Sequence, residues 1–219
     1  METFWHICEA IGAGSAAGLS PLVALAVLVL AASVKLGIKT DNSDVGFLAG
    51  AIAIVIAILV VVQSFLLIGV PGGSKLRVAA DRPRFETLHV LLAVIFGALA
   101  GMVVLGAEHD TAIAGALIGG LSGGLVGFAA VGLLGGVGAR LDANAAREQG
   151  KKSSAEAAAD AIASKRIIAF GVDVVTLIAV ILPLLVPLTG LILPILAIAV
   201  IVGGRRRDAK KHEGLRVLN

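Results

Sequence analysis

The chain has one cysteine, Cys8. A lone thiol excludes an internal disulfide and offers no metal-site spacing. Charge is scarce as well, with Asp, Glu, Lys and Arg making up 15% of the 219 residues. That leaves no room for a separate water-soluble domain. The first ten residues hold Glu2, His6 and Glu9 but no Lys or Arg, so they do not read as the basic start of a cleaved signal peptide. Soluble-enzyme motifs fail on context. Gly12-Ala13-Gly14-Ser15-Ala16-Ala17 mimics a dinucleotide fingerprint without a preceding strand, and 69–75 (GVPGGSK) lacks the Gly-Lys-Ser/Thr ending of a phosphate loop. No Cys/His cluster suggests zinc, and no Ser or Cys has an evident base. Neither catalysis nor a cofactor is implied.

Apolar length is what the chain has in abundance. Hydrophobic residues make up 58% of it, and the mean hydropathy is +1.01. Several uncharged runs approach or exceed the roughly 20 residues a bilayer requires. The expected fold is an all-α, polytopic integral-membrane bundle, one membrane domain over 1–219. Six spans are expected at about 11–34, 45–70, 85–105, 112–138, 167–182 and 190–202. Pro21 leaves two possibilities for the first: one kinked helix, or a short half-helix followed by a second helix. Phe4 and Trp5 before it fit interfacial anchors. Pro183 and Pro187 divide the long run 167–202 into two short spans. The intervening 140–166 reads as a water-facing loop, with Ser153-Ser154-Ala155-Glu156 as a capping box opening a solvated helix.

The central span is a glycine-zipper helix. Gly115, Gly119, Gly123 and Gly127 recur every four residues, and Gly120, Gly124, Gly132 and Gly136 form a second row. Positions four apart share a helix face. In lipid, small residues at this spacing let another helix approach the backbone closely. The rows are therefore expected to serve helix packing, within the chain, between copies, or against a larger membrane complex.

A pI near 9.3 raises nucleic acid as a partner, but the positions of the basic residues point to topology instead. With six spans, every Lys and Arg except Lys35 and Lys39 falls on one side, in 74–84, 140–166 and the tail 205–219. The positive-inside rule makes that side cytoplasmic, and six spans then put both termini there. The expected location is the cell membrane, with lipids as partners and the tail near anionic headgroups.

Ionisable residues inside a membrane are functional candidates by default. Asp173 lies seven residues past Arg166 and His89 five past Arg84, so both are expected at similar depth from the basic side. Glu86 is one turn nearer that surface, and Glu9 is expected to start at the same interface. A His–Asp pair there could carry a proton, or could simply lock two helices together.

Three stretches bear a family resemblance. One is Gly18-Leu19-Ser20-Pro21, another is Asp81-Arg82-Pro83 followed by His89 and Gly97-Ala98, and the third is Asp173 early in a late apolar span. In these the chain resembles a bacterial integral-membrane family known as domain of unknown function 4126. That family shows Gly-Leu-Arg-Pro, then Asp-Lys-x-Pro, His, Arg-Pro and Gly-Ala. Ser20 stands in place of the first arginine, and Ala93-Val94 stand in place of the later Arg-Pro. The resemblance implies a membrane bundle and marks Gly18, Pro21, Asp81, Pro83, His89, Gly97 and Asp173 as positions of interest. It implies no activity.

Overall fold

The computed structural model describes residues 2–34, 50, 53–55, 57–58, 82–105, 109–148 and 154–216. Among these residues the chain is helical with no strand. In order come α1 (Glu2–Leu19), α2 (Pro21–Ser33), α3 (Arg82–Leu105), α4 (His109–Glu148), α5 (Ser154–Leu185), a 3-10 turn (Pro187–Leu191) and α6 (Ile192–Arg216). Among the described residues four stretches are long and apolar enough to cross a membrane: Thr87–Leu105, Thr111–Leu141, Ile162–Leu185 and Pro187–Arg206. Most of the expected span 45–70, with Asp81 just beyond it, lies outside the described residues.

At Pro21 the chain makes two helices. Ser20 is extended, with φ −146° and ψ 92°, and Pro21 occupies the first turn of α2. A proline suits that position because the first helical N–H has no partner anyway. It also has no N–H to give the carbonyl of Ala17, four residues back, so α1 ends there. The helix before the break starts at Glu2, nine residues earlier than the expected boundary. Phe4 and Trp5 are exposed on its first turns, their rings edge to face at 5.7 Å.

A helix opens at Ser154, within the expected capping box, but it does not end inside 140–166. α4 continues to Glu148, and α5 runs without interruption from Ser154 to Leu185. Ala, Glu and Lys are strong helix formers, so nothing in 154–166 stops the helix before the apolar span begins. Pro183 sits inside α5 near its end. The chain turns only after it, where the Val186 carbonyl accepts bonds from the Thr189 backbone N–H at 3.0 Å and the Thr189 hydroxyl at 2.7 Å. The basic tail continues α6 as helix to Arg216.

Glycines set the packing around α4. A Cβ on Gly101 of α3 would collide with the carbonyl of Gly115, and one on Gly97 would lie 2.5 Å from the carbonyl of Gly119. A Cβ on Gly14 of α1 would lie 2.5 Å from Gly119, and one on Gly18 would lie 2.6 Å from Gly127. The first glycine row of α4 therefore lies between α1 and α3 with backbones in contact. Gly120 and Gly124 face Ala98 and Val94 of α3, whereas Gly132 and Gly136 meet nothing within 4 Å among the described residues. In lipid, close van der Waals contact of this kind replaces the hydrophobic drive that holds water-soluble cores together.

These contacts also give directions. α1 runs parallel to α4, since Gly14 matches Gly119 and Gly18 matches Gly127. α3 runs antiparallel to α4, with Gly101 by Gly115 and Ala93 by Gly123 and Gly127. The Cys8 carbonyl abuts Gly190, and Gly12 abuts Pro183. The start of α1 thus sits at the end of the bundle where α3 finishes, α4 begins and α5 turns into α6. By sequence it was expected at the opposite, basic end.

Candidate functional site

Polar groups gather around the break between α1 and α2. A helix end leaves its last carbonyls without intrahelical donors. One of them, at Gly18, accepts a hydrogen bond from the His89 ring at 3.0 Å. A carbonyl can only accept, so Nε2 of His89 carries the proton in this pair. α3 brings His89 there because Ala93, one turn further on, packs on Gly123 and Gly127 beside Gly18.

Asp173 is 3% exposed, on a helix whose sequence around it is apolar. Thr176, one turn further on and fully buried, turns its hydroxyl back to the Val172 carbonyl at 2.7 Å. Depth follows from the helical rise of about 1.5 Å per residue. Asp173 lies ten residues, about 15 Å, before Pro183, which meets Gly12. Ser20 lies eight residues, about 12 Å, past Gly12 in the antiparallel direction. Asp173 and the helix break therefore share nearly the same depth, and His89 joins them through Gly18.

Glu9 does not belong to this group. It is on α1 next to Cys8, whose carbonyl abuts Gly190, and so lies nine residues, about 13 Å, from Gly18. Its carboxylate Oε2 pairs with His6 Nδ1 at 2.9 Å, with the histidine side chain half exposed. Starting α1 at Glu2 rather than Ile11 moves Glu9 to the far end of the bundle. Glu86 and Pro83 are on the first turns of α3, where their side chains lie outside the described residues.

Four buried hydroxyls join the candidate residues. Ser15, Ser20, Ser122 and Thr176 are all buried. Ser122 donates to the Gly119 carbonyl at 3.1 Å, whereas the Ser15 hydroxyl has no hydrogen-bond partner among the described residues. A signal existed: each is a small polar residue inside a Gly/Ala-rich or apolar run, where only a close neighbour can cover it.

Compared with family models, curated proteins and solved structures, the chain matches none of them. Its four long apolar helices suggest a membrane protein.

Proposed function

We propose that this membrane protein is a small transporter, channel or lipid-handling protein rather than an enzyme, with proton coupling through Asp173 and His89. The observation that supports this reading most is the burial of Asp173 in an apolar helix; the helical rise puts it near the depth of the break before Pro21. A buried carboxylate is costly unless it is paired or takes up a proton, so a protonation change there is easily tied to a change in packing. His89, already bonded to the free end of α1, would report such a change to the break. The basic segments 74–84, 140–166 and 205–219 face the cytoplasm in this reading, and the protein resides in the cell membrane. The motif residues noted above support placing it near the bacterial family it resembles.

The test is proton flux in liposomes that hold the full chain and a trapped pH dye, under an imposed pH gradient. Wild-type protein dissipates the gradient faster than empty liposomes. Asp173→Asn, with an unchanged elution profile and unfolding midpoint, does not. Flux by Asp173→Asn at the wild-type rate removes Asp173 from the mechanism.

A second reading, a non-catalytic subunit or scaffold of a larger membrane complex or a homo-oligomer, rests on a different feature. Gly132, Gly136 and Gly138 of α4 meet nothing within 4 Å among the described residues, and Leu133 and Val137 beside them are exposed. In this reading another helix docks there, completing the glycine zipper. A stable stoichiometric partner after gentle extraction supports it.

A further inference from the structure

We infer that α1 and α2 form a re-entrant hairpin. Both of its ends lie on the face opposite the basic segments, and its tip at Gly18–Pro21 is buried within the bundle. The amino terminus then lies opposite the carboxy terminus.

Three observations lead there. The first is the position of α1. Its start lies beside the Pro187–Leu191 turn, since Gly190 abuts the Cys8 carbonyl and Gly12 abuts Pro183. That turn and the α3–α4 junction are one face of the bundle. The second is the depth of the tip. Gly18 sits against Gly127, which is 16 residues into the apolar stretch Thr111–Leu141, with 14 residues of it still to run. About 21 Å of apolar helix therefore extends past the tip.

The third is the destination of α2. It has 13 residues, about 20 Å, too short to cross a hydrocarbon core of about 30 Å by itself. It is buried nearly all round, from Pro21 and Val23 to Ala31 and Ala32, as a helix inside a bundle must be. The core it joins contains Ala100 and Val103 of α3 and Val180 and Leu184 of α5. All four lie on the halves of those helices nearest the turn. Among the described residues, the core includes no member from Arg82–Ala93 or Ser154–Asp173. After the break α2 therefore runs back toward the face where α1 began.

The order of the chain agrees. α3 starts at the basic face, and its first residue, Arg82, is basic. A returning α2 ends at the opposite face. The charge count is indifferent to this change, because Met1–Val34 contains no Lys or Arg.

The test is the sidedness of single cysteines in sealed membrane vesicles, probed with a membrane-impermeant maleimide in a Cys8→Ala background. Leu188→Cys marks the turn face and Arg206→Cys the basic face. Thr3→Cys reports the start of α1, and Asn42→Cys reports the polar segment after α2. The expected result is that Thr3→Cys and Asn42→Cys both react from the side of Leu188→Cys. Thr3→Cys reacting with Arg206→Cys would restore a cytoplasmic amino terminus and a full first span. Asn42→Cys alone reacting with Arg206→Cys would make α1–α2 a through-going helix pair. Either result overturns the hairpin. Elution profiles matching the parent protein establish that each variant is folded.

Discussion

His89 of α3 donates a hydrogen bond across the bundle to the backbone carbonyl of Gly18, 3.0 Å away, at the end of α1. The two residues are 71 apart in sequence, and the bond fastens the open end of one helix to the side of another. Removing the ring leaves a part-buried carbonyl without this donor, at a cost of about 1–3 kcal/mol. His89→Ala is therefore expected to lower the unfolding midpoint in detergent. His89→Gln, whose amide can still donate, is expected to recover part of the loss. Wild-type midpoints in both variants would mean that the bond contributes nothing.

The glycines of α4 divide into those in contact and those in open space. Gly101→Val and Gly115→Val drive a side chain into the facing backbone, which costs at least the roughly 3 kcal/mol at the upper end of ordinary overpacking. Both are expected to lose the monodisperse elution peak. Gly136→Ala meets nothing within 4 Å among the described residues and gains up to about 1 kcal/mol of helix propensity. Its midpoint is expected to stay level or rise. A large drop at Gly136→Ala would reveal a partner on that face and favour the docking reading.

Ser15 is fully buried, and its hydroxyl has no hydrogen-bond partner among the described residues. Burying a hydroxyl without a partner costs about 1–3 kcal/mol by protein mutational data. Ser15→Ala removes that cost and leaves a cavity no larger than an oxygen atom. The expected outcome is an unchanged or higher unfolding midpoint. A clear decrease would show that the hydroxyl is satisfied in the membrane-embedded protein.

The His6–Glu9 pair, at 2.9 Å, lies at the opposite end of α1 from His89. With its histidine half exposed, it contributes at most about 1 kcal/mol. Glu9→Gln is expected to leave both stability and the proton flux proposed for Asp173 nearly unchanged. Loss of flux in Glu9→Gln would place Glu9 on the proton path despite its distance from the break.

Some features could be read along the chain. The apolar runs ending at Leu105 and beginning near Thr111 become α3 and α4, because a span in lipid must satisfy its own backbone bonds. Pro21 marks a helix start, and Pro187 with Gly190 marks the turn after α5, because proline withholds an N–H wherever it stands. Others could not be read. Nothing in Ser154–Arg166 says whether its helix stops before Ile167 or continues, since good helix formers permit both. Nothing near Glu2 says that α1 starts there, because its first turns are held by contact with Gly190, far away in the chain.

The sequence by itself determined that the chain is built of membrane-length apolar helices, where the prolines interrupt them, and which segments carry the basic charge. These depend on side-chain chemistry and local backbone geometry, which every residue carries with it. Only the tertiary structure decided which glycines are contacts and that Glu9 lies far from Asp173. It also decided that the amino-terminal half of α1 lies at the turn end of the bundle. The reason is physical. Before Val34 there is no Lys or Arg, so no charge gradient orients the first helices. Their placement depends on backbone fitting against backbone, at Gly14 on Gly119, Gly18 on Gly127 and Cys8 on Gly190.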